Sequence, residues 1–170
     1  MTILVTGLIG SGKSLVCRML RDRGAAVYDS DSRCKSLYGS VPGLEERIRK
    51  ETGLSIAGLG AIFGDEAKRT AVQNIVYPVL RDDFIRWRES CGADVVVFES
   101  ATASASPFFS GLFDKVMLVR APFGKRLERN PRAAERSPLQ SEPESADWIV
   151  DNDSTVEELE RKISTLGIFD

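Results

Sequence analysis

The sequence contains no histidine. That absence excludes a Ser-His-Asp triad, a phosphohistidine intermediate and a histidine-built metal cluster, and it leaves general-base work to a carboxylate. Cysteine is scarce: Cys17, Cys34 and Cys91 are odd in number, far apart and without CxxC spacing. Neither a disulfide framework nor a thiolate metal site is expected from them. Positive charge is not in excess either. The 23 Lys and Arg are outnumbered by 25 Asp and Glu, a net −2 with a pI near 5.4, so there is no basic field for wrapping nucleic acid. No run approaches the roughly 18 consecutive apolar residues of a membrane span, and the first residues lack a basic segment ahead of an apolar one. The expectation is a cytoplasmic protein with a small-molecule partner, no nucleic acid and no membrane. Its 170 residues suffice for one domain with a substantial core. Nothing in the sequence signals an oligomeric state.

What is present begins at residue 7, where the chain reads GLIGSGKS. Before it, TILVT is a short β-branched apolar run that suits a buried strand; behind it, SLVCRMLRDRG spaces its apolar residues like a helix. Gly7, four residues, then Gly12, Lys13 and Ser14 is the full spacing of a phosphate-binding loop on a strand-loop-helix. Gly7, Gly10 and Gly12 let the backbone curl so that the N–H groups of Ile9, Ser11, Lys13 and their neighbours face anionic oxygens, while the helix adds its positive dipole end. Lys13 is expected to reach the β and γ phosphates of ATP, and the Ser14 hydroxyl to ligate Mg²⁺. A glycine-rich turn with no ligand is the plain alternative, and the complete GKS spacing weighs against it.

Strand patterns recur at residues 2–6, 25–28, 94–99, 115–119 and 147–150, separated by helical or loop stretches. This alternation predicts a parallel α/β sheet. The longest excursion, about residues 31–90, carries helical patterns around 31–38, 43–51, 66–76 and 78–90, with turns at GSVPG and at Gly53, Gly58, Gly60 and Gly64. Between Pro122 and Pro143 the chain is charged, proline-broken and short of core residues. Arg126, Arg129, Arg132 and Arg136 fall at three- and four-residue spacing, near one face if helical. Two readings stand for this segment: a lid whose arginines close over a triphosphate, or a solvated charged helix. The tail STVEELERKI reads as an amphipathic helix capped by Ser154 or Thr155.

The second strand ends in AAVYDSDS, which brings Asp29 and Asp31 to the carboxyl edge of the sheet. One carboxylate there would accept the proton of an attacking hydroxyl, while the other orients metal-bound water; alternatively both cap the next helix. GLIGSGKS, GAAVYDSDSRCKSLY, NIVYPVLRDDFIRW, DVVVFESA, DKVMLVRAP with RLER, and ADWIVDNDSTVEEL follow in an order and wording that resemble dephospho-CoA kinases. The likeness covers nearly the whole chain.

The resemblance implies a P-loop NTPase fold, a three-layer αβα sandwich with a parallel five-stranded sheet. One domain over 1–170 would have its core in 1–30, 91–121 and 146–170, a helical acceptor subdomain at about 31–90 and a short lid at about 122–145. It implies γ-phosphate transfer from ATP to the 3′-hydroxyl of dephospho-CoA, with Mg²⁺. By the same resemblance Asp31 is the base, and Arg126 and Arg129 are lid arginines near ATP. Leu15 closes the phosphate loop, Asn152 lies near the adenine, and Tyr77 and Glu99 lie near the acceptor. Glu99 as a strand-end surface acid is the alternative reading.

The chain departs from the family pattern on the acceptor side. Tyr77-Pro78 stands where His-Pro is usual, ETGLSIAGLGAIF supplies no arginine, and the stretch between Ile48 and Ile62 is short. The lid is trimmed to RLERNPRAAERSPLQSEPESAD, keeping Arg136 and Gln140 of an R-x-x-x-Q fragment, and Leu15 follows GKS where a smaller or β-branched residue is usual. Two rivals therefore remain: another small-molecule kinase sharing the loop, and a silent nucleotide-binding protein. A GTPase lacks its NKxD motif here, and a dinucleotide fold would need a third glycine where Lys13 and Ser14 stand.

Overall fold

The apolar run TILVT forms the first strand, β1 (Thr2–Thr6), buried along its whole length as a central parallel strand must be. The computed structural model describes residues 1–169, the side chains of residues 61–63 excepted. Two compact units emerge: residues 1–29 with 91–170, and residues 30–90.

In the first unit, β2 (Ala26–Asp29), β3 (Val96–Glu99), β4 (Lys115–Arg120) and β5 (Trp148–Asp151) join β1 in the order β2-β3-β1-β4-β5. All four pairings are parallel. β3 and β4 flank β1 on opposite sides, and parallel sheets bind ligands beyond the carboxyl end of a strand placed in this way. Alternate residues face opposite ways. Ile3, Val5, Val97, Met117, Val119 and Val150 pack against Val16 and Leu20 of α1 (Lys13–Asp22) and Leu159 and Ile163 of α7 (Val156–Ser164). Each fully buried aliphatic side chain of this kind contributes about 1.5–3 kcal/mol. From the other face Tyr28 stacks on Phe98, ring centroids 5.3 Å apart, and Phe109 packs on Phe98 at 5.4 Å. Of the two candidate caps for α7 the hydroxyl of Thr155 takes the role, accepting from the Glu158 N–H at 3.3 Å.

Short elements connect β4 to β5: α5 (Phe123–Arg129), α6 (Ala133–Arg136) and a 3₁₀ turn over Ser137–Leu139. The single basic face expected of Arg126, Arg129, Arg132 and Arg136 does not form. Asn130 precedes Pro131, a position where the helical conformation clashes with the proline ring. It adopts φ −150°, ψ 105° and ends α5.

The second unit comprises α2 (Ser30–Ser40), α3 (Leu44–Thr52), a 3₁₀ stretch over Ile56–Gly64 and α4 (Glu66–Cys91), whose last residue lies in the first unit. Arg33 on α2 grips Asp83 on α4 with two prongs, Nε to Oδ2 at 2.9 Å and Nη2 to Oδ1 at 2.7 Å. The two helices expected at 66–76 and 78–90 are one continuous helix running through Pro78. Proline removes one donor and crowds one carbonyl. Here Val72, Ile75 and Val76 before it and Leu80 and Phe84 after it are buried at helical spacing, and that burial outweighs the local cost. Gly58, Gly60 and Gly64, expected as turns, lie within the 3₁₀ stretch, where i to i+3 bonding accommodates a short glycine-rich run. Among the described residues no helix is long and apolar enough to cross a membrane, and none of the cysteines forms a disulfide.

Candidate active site

Residues 7–14 connect β1 to α1 at the carboxyl end of the central strand. Gly10 and Gly12 have φ of 79° and 97°, values that a side chain disfavours. Packing requires glycine there as well. A Cβ on Gly10 would fall 2.5 Å from the Arg126 carbonyl oxygen, and one on Gly12 well inside 3.0 Å of Asn152 Nδ2. Gly12 also caps α1 without any side-chain hydrogen bond, so the positive helix end carries no built-in acceptor. Leu15 is partly buried against the core below the loop.

The charged and hydroxylic groups converge on this loop. Lys13 Nζ donates to the Gly7 carbonyl at 2.9 Å and the Leu8 carbonyl at 3.4 Å. Ser14 Oγ donates to Glu99 Oε1 at 2.6 Å, which relates the loop's hydroxyl to the last residue of β3. In register, Glu99 lies beside Val5 on one side and Asp29 on the other. Beneath them the Cys17 thiol is pushed well above its usual value, first by burial and then by the Glu99 charge. The Ser11 hydroxyl is buried with no partner among the described residues, a donor of the loop left unsatisfied. No group of three or more His, Cys, Asp or Glu that could hold a metal occurs among the described residues. One hydroxyl and one acid beside a phosphate loop is instead the donor set that suits Mg²⁺, which keeps several waters and takes phosphate oxygens as ligands.

The 122–145 segment braces the same loop. Arg126 is only 8% exposed. Its Nη1 donates to Ser137 Oγ at 2.7 Å and reaches the Ile9 carbonyl at 3.5 Å, its Nε donates to the Ala121 carbonyl at 3.2 Å, and its guanidinium lies 5.4 Å from the Phe123 ring centroid. Arg129 Nη1 approaches the Gly10 and Ser11 carbonyls, each at 3.4 Å, and its Nη2 donates to the Asn152 carbonyl at 3.2 Å. Asn152, 5% exposed, donates from Nδ2 to the Ser11 carbonyl at 2.8 Å. Gln140 Oε1 accepts from the Ile9 N–H at 2.8 Å. The sequence marks Gln140 only as part of a retained R-x-x-x-Q fragment and gives no sign of this contact.

In the second unit Asp31 occupies the first turn of α2, and Tyr77 lies on α4. Both act electrostatically on Tyr38, as does Cys34. The Tyr38 phenol is pushed up to about 12, by burial foremost and then by Cys34, Tyr77 and Asp31. Sequence reasoning did not single out Tyr38, although positions 31, 34 and 38 share one helix face. A cavity of about 770 Å³ elsewhere in the first unit, floored by Leu4, Phe109, Phe113 and Val116, includes none of residues 7–14 in its lining.

A parallel five-stranded sheet flanked by helices, with a GxxxxGKS loop curled at the end of its central strand, defines an α/β P-loop NTPase of the phosphotransferase type. The family model described as dephospho-CoA kinase (CoaE) matches residues 1–158. A dephospho-CoA kinase from Porphyromonas gingivalis is 39% identical over 137 residues, covering 75% of this chain and 67% of that protein. One from Frankia casuarinae is 28% identical over 183 residues, covering 95% and 80%. The crystal structure of TT1252 from Thermus thermophilus superposes with a TM-score of 0.79 at 25% identity, covering 96% of this chain and 94% of that one. The chain belongs to the dephospho-CoA kinase family of ATP-dependent kinases.

Proposed function

We propose that the protein transfers the γ-phosphate of ATP to the 3′-hydroxyl of the ribose in dephospho-CoA, completing coenzyme A in the cytoplasm. The observation that carries the acceptor is the family match over residues 1–158, because a phosphate loop by itself is common to many kinases. In this reading Lys13, the loop amides of residues 9–14 and the α1 dipole hold and neutralise the triphosphate. The orphaned Ser11 hydroxyl and the uncapped start of α1 support a loop built for an anion. Arg129 brings its guanidinium against the loop's own carbonyls, where it would lie beside the transferring phosphate. Arg126 and Asn152 hold the loop's shape from behind, Asn152 at the edge where the adenine would lie. Ser14 would hold Mg²⁺ directly and Glu99 would hold it through water, and the ion would supply charge neutralisation at the transferring phosphate.

Asp31 takes the proton of the 3′-hydroxyl as that oxygen forms its bond to the γ-phosphorus. The bond from phosphorus to the β,γ-bridging oxygen breaks in line, and ADP leaves with the electron pair. Tyr77 supplies a hydrogen bond to the acceptor where a histidine would also supply charge. The test is ADP release by the purified protein with ATP and Mg²⁺, with and without dephospho-CoA, the product identified by mass. Acceptor-dependent release with formation of coenzyme A supports the proposal, whereas ATP binding without transfer refutes the acceptor.

A further inference from the structure

The cavity of about 770 Å³ in the first unit is lined by Leu4 and Val116 of the sheet and by none of residues 7–14. Its volume is in the range of small-molecule sites, roughly 300–1,000 Å³. Part of the lining comes from the connection between β3 and β4. There Ser100 Oγ accepts from the N–H groups of Thr102 at 3.3 Å and Ala103 at 3.2 Å, which folds the 3₁₀ turn over Ala103–Ala105 against β1. That turn brings Ser104 into the lining, its hydroxyl buried and without a hydrogen-bond partner among the described residues. Such a group costs free energy until a partner is supplied. Phe109 and Phe113, each packed on Phe98 with ring centroids 5.4 Å apart, make the lining aromatic. The remainder comes from residues 141–145, which bring Glu142 and Glu144. Both are exposed, and neither forms an ion pair among the described residues. No Lys or Arg occurs in the lining, and Lys115, next to Val116 in sequence, is tied to Asp147 at 2.7 Å. A nucleotide, with its several negative charges, is the wrong ligand for such a lining.

We infer that this cavity is a second ligand site that takes a small organic amine, its protonated nitrogen balanced by Glu142 and Glu144 and its apolar body seated on Leu4, Phe109, Phe113 and Val116. The Ser104 hydroxyl is the fixed polar point of the lining. The occupant is neither ATP nor the acceptor, so the site stands apart from the reading of residues 7–14. Apolar burial supplies its affinity, and the two carboxylates supply its choice of charge.

Titration calorimetry of the full chain with phenylbutylamine, phenylbutanol and phenylbutyrate compares one apolar body bearing a cation, a neutral hydroxyl and an anion. The amine is expected to bind about three- to tenfold more tightly than the alcohol and at least about tenfold more tightly than the acid, the worth of two exposed charge pairs. That preference should shrink towards parity at about 1 M salt, where exposed charges are screened. Glu142→Gln combined with Glu144→Gln should bring the amine down to the affinity of the alcohol and leave the alcohol unmoved. Ser104→Leu, which fills the cavity, should abolish binding of all three probes. If Ser104→Leu fails to fold, the glutamine variant, altered only at exposed positions, decides alone. No binding by the native protein at millimolar probe, equal affinity for the three probes, or a glutamine variant that keeps the preference overturns the inference. Saturating MgATP is expected to leave the amine bound; competition between them would place the probe at the phosphate loop and overturn it as well.

Discussion

Replacing Gly12 with alanine tests whether the loop is held in one shape by its surroundings. At φ 97° a β-carbon costs about 1–2 kcal/mol. The same atom would sit well inside 3.0 Å of Asn152 Nδ2, so Asn152 must withdraw. Its 2.8 Å bond to the Ser11 carbonyl is then lost, at about 1 kcal/mol. Together these amount to roughly 2–3 kcal/mol, or a melting temperature lower by about 4–12 °C for a chain of this size. Trp148 on β5 reports the first unit by fluorescence, and a Trp87→Phe background silences the signal from α4. Asn152→Gly opens the space the new methyl group needs, so the double variant should lose less than the sum of the singles, with a coupling of about 1 kcal/mol. ATP affinity of Gly12→Ala should fall in parallel. A melting temperature within about 1 °C of native, with strictly additive singles, would refute the claim that Asn152 and the backbone of Gly12 hold each other in place.

Lys13→Ala should lower phosphoryl transfer by roughly a hundredfold or more in a coupled ADP-release assay, the loss typical of a charge-stabilising donor; an unchanged rate would remove Lys13 from the mechanism. Asp31→Asn should lower kcat by about 10²–10⁴ with ATP affinity unchanged by calorimetry, the pattern of a lost general base. Weakened ATP binding with kcat preserved would reassign Asp31 to metal-water positioning. Tyr38 gives a pH prediction. Its folded pKa, pushed up to about 12, lies above that of an unfolded tyrosine near 10, so the folded state retains a proton that the unfolded state releases. The stability from the neutral phenol is complete below pH 10 and is lost as pH rises towards 12. Urea midpoints of the native protein should therefore fall over that interval more steeply than those of Tyr38→Phe, and parallel slopes would contradict the placement of Tyr38.

Much of the site was legible because its signals are local. The GKS triplet, the β-branched run before it and the helix period after it are each set within a few residues, so β1, the loop and α1 form where the pattern puts them. The cap of α7 was legible for the same reason. Pro78 and Asn130 show where local reading fails, in opposite ways. Pro78 breaks a helix by local rules, yet five buried apolar residues, three before it and two after, keep α4 continuous. Arg126 to Arg136 satisfy a helical spacing, yet a single X-Pro step ends α5 before the spacing can be used.

By itself, then, the sequence determined the class of protein, through the phosphate loop, the strand-helix alternation and the absence of histidine. Tertiary structure alone decided which groups meet. Glu99 reaches Ser14 because β3 lies beside β1 in the sheet, and Asn152 reaches Ser11 from the end of β5. Gln140 lies on Ile9 because the 122–145 segment folds back over the loop. Spacing along a chain encodes the period of one element, but a hydrogen bond between residues 9 and 140 depends on strand order and on the path of the connections.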